Sequence, residues 1–312
     1  MTLKLPPAYH PLPEVASALT ANQPVVALES AVITHGLPHG TNLDLARNVE
    51  ALIRANGVTP ATISVINGSL CIGTNQEDLE RLATDGDLIK VSIRNIGFAL
   101  AKKLSGGTTV AATLLAACTA GIKVFSTGGI GGVHRGRSYD ISADLDELAR
   151  SPVVVVCAGA KAILDLPATR EALETRGVPV LGYQTNEFPA FYSRRSGLHV
   201  DARVDSPAEI AAVAHAHWQA GNNSAILVCN PLPEDQALDD DMMEKAIHRA
   251  MRQAEKDDIN GASLTPALLD MVMQLTDGKS LQANIALLRN NASLAAEIAL
   301  EMYPAKKKLV TY

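Results

Sequence analysis

The chain has 312 residues, a formal net charge of −6, 47% hydrophobic residues and only 4% aromatics. That apolar content suffices for a substantial core in one large or two ordinary domains. The negative balance, with no basic run before Lys306, Lys307 and Lys308, argues against a nucleic-acid face, and the scarcity of aromatics argues against base stacking. No stretch of about 18 apolar residues occurs, so no membrane span is expected and the partner should be a small molecule.

The opening MTLKLPPAYHPLPEV is rich in proline and has no continuous apolar stretch. No secretory signal is expected there, and residues 1–22 read as an N-terminal extension. Strand and helix patterns then alternate: strand 24–28, helix 43–55, strand 61–66, helix 76–83 and strand 89–91. They continue with a helical run over 109–120, a strand at 124–126, a helix from Ser142 and a strand from Val153 into CAGAK. A helix at 169–176 and strands at 178–183 and 225–229 follow. From about Glu234 the pattern is helical to the end, with a long helix over 280–302. This rhythm predicts an α/β fold: a three-layer α/β/α sandwich with a largely parallel or mixed sheet and a helical C-terminal cover over 234–312. With no linker and no repeat, residues 1–312 are expected to form a single domain. Cys71, Cys118, Cys157 and Cys229 are widely spaced without CxxC, as expected for reduced thiols of a cytoplasmic protein.

The polar residues of interest fall at strand exits, where ligands sit in parallel α/β sheets. VVVVCAGAK, residues 153–161, reads as a strand covered on both faces that ends in small residues and then Lys161. PVVAL runs directly into Glu29 and Ser30, with Thr34, His35 and Gly36 just beyond. Glu29 is either an ion-pairing residue or an acid whose proton affinity is raised by partial burial. GGIGGVHRG, residues 128–136, follows a strand, but its dinucleotide-binding pattern fails because the third glycine position is His134. A glycine loop approaching a smaller phosphate ester fits better.

In DISADLDEL, residues 140–148, Ser142 reads as a helix cap with Asp144 in the first turn, which leaves Asp140 as a hard oxygen ligand for a divalent cation. SGGTTVAATLLAA, residues 105–117, places Gly106, Gly107, Thr108 and Thr109 at the start of an apolar helix. That is either a phosphate cradle, with Lys90 as a nearby point charge, or ordinary threonine capping. Asn284 and Asn291 share one face of the late helix, placed either to orient a ligand or to satisfy buried backbone. HExxH and Gly-x-Ser-x-Gly are both absent.

In order along the chain, VVALES with THG, KVS, TTVAAT, FSTGGIGGVHRG, DISADL, CAGAK with ILDL, GYQT and NPLPE resemble the pseudouridine-5'-phosphate glycosidase family, which includes indigoidine-synthase A-like proteins. The resemblance implies reversible cleavage of the C–C glycosidic bond of pseudouridine 5'-phosphate to uracil and ribose 5-phosphate, with one Mn²⁺ per subunit in a homotrimer. It puts the nucleophile on Lys161, the proton donor on Glu29 and the metal carboxylate on Asp140. Substrate contacts fall on Lys90, Val110, Ser142, Ala143, Asp144 and Asn284. Thr108, Thr109 and His134 flank these motifs as further candidates, and Asp144 is a candidate for proton transfer or base positioning. Ala31 stands where the family pattern implies threonine, and Asn95 where it commonly has aspartate. Two other readings stay open on the local chemistry: a sugar-phosphate lyase or aldolase using a Lys161 Schiff base, and a non-catalytic sugar-phosphate-binding protein.

Overall fold

The computed structural model describes residues 4–259 and 264–303. The chain enters through β1 (Tyr9–Pro11), α1 (Pro13–Thr20) and β2 (Val25–Leu28), then one turn of π-helix (Val32–Gly36) and α2 (Thr41–Ala55). There follow β3 (Thr59–Ile66), β4 (Ser69–Ile72), α3 (Gln76–Thr84), β5 (Ile89–Val91), α4 (Ile96–Ala101), β6 (Gly106–Thr108), α5 (Val110–Ala120) and β7 (Val124–Ser126). Next come β8 (Val133–His134), β9 (Arg137–Ile141), α6 (Ala143–Leu148), β10 (Val154–Cys157), β11 (Leu164–Asp165) and α7 (Leu166–Thr175). β12 (Val180–Tyr183), β13 (Ala202–Val204), α8 (Pro207–Gln219) and β14 (Ile226–Cys229) complete the strands, and α9 (Asp240–Lys256), α10 (Leu264–Leu275) and α11 (Lys279–Met302) follow.

The main sheet is a parallel run in the order β3-β2-β7-β10-β14-β12-β13. At one edge β4 pairs antiparallel with β3, and β1 parallel with β4. Every residue of β2, β10 and β14 is buried, because helices cover both faces. α11 lies across β2, β7 and β10 beside α2 and α8, while α1 and α5 pack on β2 and β3, with α6 against α5. This is the expected three-layer mixed sheet. The four cysteines are free thiols, with Cys157 and Cys229 opposite each other across β10 and β14. No described helix is long and apolar enough to cross a membrane.

Two expectations change. Residues 9–20 of the expected N-terminal extension are part of the fold, since β1 extends the sheet and α1 packs on it. Gly106, Gly107 and Thr108 form a strand rather than a helix start. β3 explains why. Its first half pairs with β2, up to Leu28↔Thr62; beyond that point β2 has ended and β6 takes its place at Ser64↔Gly107. Ser30 and Thr108 close this seam: both hydroxyls donate to the Ile63 carbonyl at 2.6 Å, and the Thr108 N–H donates to Ser30 Oγ. A Cβ on Gly107 would lie 2.3 Å from Thr34 Oγ1 and 2.7 Å from the Ser30 carbonyl, so glycine is required for the close approach. The Lys306–Lys308 run lies outside the described residues.

Candidate active site

Because β2, β7 and β10 are consecutive parallel neighbours, their carboxyl ends open side by side into one crevice. In register, Leu28, Ser126 and Val156 are level, so Glu29 and Thr127 leave the sheet together. Thr127 Oγ1 donates a short hydrogen bond to Glu29 Oε1. The carbonyl of Thr127 is in turn held by Asn291 Nδ2 at 2.9 Å, and Asn230 Nδ2 donates to Asn291 Oδ1. Thus α11 pins the turn on which the acid rests, and of the two asparagines Asn291 is the one that satisfies buried backbone. Asn284, one face-repeat earlier, has no hydrogen-bond partner among the described residues and borders the cleft.

Lys161 reaches the same crevice by a sharp reversal after β10. Gly159 sits at φ +84°, and a Cβ there would stand 2.3 Å from the Pro189 carbonyl. Backbone bonds Ile130 N–H to Gly159 O and Lys161 N–H to Ile130 O, both 3.1 Å, latch the lysine segment to the glycine loop after β7. The small residues of CAGAK and GGIGG therefore let two strand exits lie against each other and place the Lys161 amine at the cleft. Asp144 braces a third segment: Oδ1 accepts from Ala111 N–H at 2.9 Å and Oδ2 from Gly131 N–H at 2.8 Å. With one oxygen on each N–H, Asp144 ties the α5 start to the glycine loop while its side chain still borders the cavity. Thr109 caps α5, while the Val110 N–H, in the first turn, finds no acceptor among the described residues and borders the cavity.

The resulting cavity has a volume of about 470 Å³. It brings together Glu29, Lys90, Thr109, Val110, His134, Asp140, Ser142, Ala143, Asp144, Lys161 and Asn284. Thr108 is the exception: fully buried and bonded within the seam, it does not border the cavity. Burial pushes the Glu29 carboxyl above the usual range, and the neighbouring Asp144 charge adds to this; Lys161, the Thr127 hydrogen bond and Lys90 oppose it. Lys90 moves below the ordinary lysine value, first through burial and then through the positive charge of Lys161. Acid and amines thus share one electrostatic environment.

The sequence reading missed several lining residues. Ser92 and Arg94 follow Lys90 on the same segment, and Phe191, at φ +67°, packs edge-on to Tyr192 and against Gly129. Thr265, Pro266 and Leu269 of α10 roof the cavity. The alternation of polar residues in KVSIRN is a signal that could have found Arg94; the contribution of α10 has no local signal. Asp140, the expected cation ligand, lines the cavity with its side chain 35% exposed, and its Oδ2 is 4.0 Å from His134 Nδ1. No cluster of three ligating side chains occurs among the described residues. This donor set suits a hard cation that keeps most of its water, as Mg²⁺ and Mn²⁺ do, rather than an all-protein cage.

A mostly parallel α/β sheet that brings a largely desolvated acid from the exit of β2 and an amine from the exit of β10 into one cavity defines an enzyme of small-molecule chemistry. The chain belongs to the indigoidine synthase A-like family, whose profile matches residues 14–301. It is 54% identical over 291 residues to a pseudouridine-5'-phosphate glycosidase of Caldanaerobacter subterraneus, covering 93% of this chain and 95% of that protein. The corresponding protein of Geobacillus kaustophilus is 52% identical, with 93% and 97% covered. Among solved structures, the prealnumycin C-glycosynthase AlnA in complex with ribulose 5-phosphate superposes with a TM-score of 0.87 at 38% identity, over 95% of this chain and 97% of that one. An indigoidine synthase A-like protein from Thermotoga maritima gives 0.87 at 35%, over 95% and 96%.

Proposed function

We propose that the chain is a pseudouridine-5'-phosphate glycosidase that reversibly converts pseudouridine 5'-phosphate and water to uracil and ribose 5-phosphate. The carrying observation is the pairing of Glu29, whose proton affinity burial raises, with Lys161 in one cavity at the exits of β2 and β10, on either side of β7. The naming of relatives more than 50% identical over nearly the whole chain supports the substrate.

The bond to be broken is carbon to carbon, so protonating a glycosidic oxygen or nitrogen has no counterpart here. Glu29 donates its proton to the ribose ring oxygen as that C–O bond opens, and the Lys161 nitrogen adds to C1'. The adduct nitrogen first returns a proton to Glu29; its lone pair then forms an iminium as the C1'–C5 bond breaks, and the electron pair goes to uracil C5, which takes that proton back from Glu29. Water adds to the iminium and releases ribose 5-phosphate and free Lys161. Val110 N–H, Ser142, Ala143 and Asn284 orient the substrate, with Thr109 and His134 beside them, while Lys90 supplies positive charge. Asp144 keeps the walls in register. Asp140 would hold Mn²⁺, and the cation would supply charge neutralisation. The family resemblance and the free thiols support a cytoplasmic homotrimer.

The likeness to AlnA, a C-glycosynthase, favours a second outcome, in which bond formation dominates or another aromatic carbon partner is used. Incubation with pseudouridine 5'-phosphate and Mn²⁺, followed by borohydride and intact-protein mass spectrometry, decides between them. Uracil release with a reduced pentose phosphate on Lys161 is expected. An adduct without uracil release points to a different aglycone or a lyase, and neither signal removes the covalent route.

A further inference from the structure

Lys161 is held on both sides along the chain, and the two holds are made differently. Ahead of it, the hold is backbone to backbone, through its own N–H and the Ile130 carbonyl. Behind it, the chain turns through Ala162 and Ile163, with the Leu164 N–H donating to the Lys161 carbonyl at 3.0 Å, and enters β11, which pairs antiparallel with β8 at Leu164↔His134. No backbone N–H among the described residues reaches the Ala162 carbonyl. Arg135 supplies the donor: its Nη2 bonds the Ala162 carbonyl at 3.0 Å and its Nε the Leu164 carbonyl at 2.9 Å. The other edge of the guanidinium is held by Glu244 of α9, with Nη1 2.6 Å from Oε1 and Nη2 3.2 Å from Oε2. Arg135 does not border the cavity that holds Lys161, although His134 beside it does. It borders instead two further cavities of about 610 and 540 Å³.

We propose that Arg135 is a positioning residue for Lys161, bracing the turn behind the nucleophile against α9. This rests on the reading of Lys161 given above. A planar fork of five N–H donors in fixed geometry can span two carbonyls and a carboxylate at once, which the point charge of a lysine cannot. Water entering from the two cavities would solvate the freed carbonyls but tie them to nothing, so the turn would loosen while the fold remained. β8 also pairs with β9, the strand that carries Asp140, so the same brace sets the nucleophile's turn relative to the expected cation ligand. Misplacing an attacking group by about 1 Å lowers the rate by about 10²-fold. Because Arg135 lies outside the cavity, its loss should fall on kcat and spare KM.

The test combines steady-state kinetics on pseudouridine 5'-phosphate with amide hydrogen exchange read by mass spectrometry, for wild type, Arg135→Ala and Arg135→Lys. Arg135→Ala should lower kcat by about 10²-fold with KM within about threefold of wild type. Peptides over residues 158–166, which carry the Lys161 and Leu164 amides, should exchange about tenfold faster, while those from β2 stay as in wild type. Guanidinium chloride far below denaturing concentration should restore about tenfold of the lost kcat, entering by the two cavities, whereas methylammonium, a charge without the fork, should not. Arg135→Lys, which keeps a charge for Glu244, should lose kcat as Arg135→Ala does. A wild-type kcat in Arg135→Ala, a loss confined to KM, unchanged exchange over 158–166, or equal rescue by methylammonium overturns the proposal. Should Arg135→Ala fail to fold, a wild-type kcat in Arg135→Lys overturns it equally. A wild type that releases no uracil defeats the activity reading alone, and the exchange over 158–166 still judges the brace.

Discussion

Glu29 and Glu50 are both carboxylates that burial lifts above the usual range, and both accept a hydrogen bond from a threonine, Thr127 just past β7 and Thr62 on β3. Glu29 leaves the carboxyl end of β2, opposite an amine, in a cavity large enough for a nucleotide. Glu50 points from α2 onto Thr62 of β3, with the Arg54 guanidinium 3.9 Å away, and it does not line the cavity that holds Lys161. A raised proton affinity is therefore a property of burial, and it becomes chemistry only where topology adds an opening and a second reactive group. The contrast can be tested from both sides.

The largest effect is expected from Lys161→Ala, which leaves Glu29 in place but removes the amine. kcat should fall by about 10⁴-fold or more, and the borohydride-trapped adduct should vanish. Retained turnover would make Lys161 a mere counter-charge, as Arg54 is for Glu50. Glu29→Gln follows, with an expected loss of about 10²- to 10⁴-fold. The pH profile carries the sign. Glu29 must be protonated to act, and its proton affinity is raised, so activity should persist above the ordinary glutamate range and fall as pH rises through the elevated value. The Thr127 bond favours the charged form. Thr127→Val should therefore move that alkaline limb to higher pH, and a limb that stays put or moves down would detach it from Glu29.

Much of this pairing was legible in the chain. Strands buried on both faces show as unbroken apolar runs, so VVAL and VVVVC announced themselves, and the polar residues ending them were Glu29 and, after the small-residue turn, Lys161. Three-residue β5 and β7 were found within their exact bounds because charged or glycine-bearing turns fence them. Gly106–Thr108 was misread because a three-residue strand shows no period, and GGTT before an apolar run has the form of a helix cap. Only the fold reveals that β3 changes partners there. β1 was lost among prolines. Phe191 and the α10 residues reach the cavity through packing between distant segments, which no local pattern encodes.

Asp140 sharpens the contrast from a third position, being a carboxylate that is neither sealed in nor tied to backbone donors. Asp140→Asn should raise the Mn²⁺ concentration for half-activation by about tenfold, with activity returning at saturating metal. An unchanged metal requirement would assign the cation to other ligands.

The smallest effect belongs to Glu50, whose side chain is 7% exposed. Its proton affinity in the folded chain exceeds that in the unfolded chain, where a glutamate titrates near about 4.3. The contribution to stability is thus fully present below the unfolded value and is lost as pH rises through the folded one. Glu50→Gln keeps an acceptor for Thr62 but cannot ionise. Arg54 loses little, because Glu14 already holds it through two 2.7 Å hydrogen bonds. The melting temperature of Glu50→Gln relative to wild type should therefore rise as pH increases from the ordinary glutamate value through the elevated one, with activity unchanged. A fall over that interval would mean that the Glu50 charge is held favourably by Arg54. A loss of activity would mean that the two buried acids communicate, and the division between a carboxylate that reacts and one that only packs would no longer follow from where each leaves the sheet.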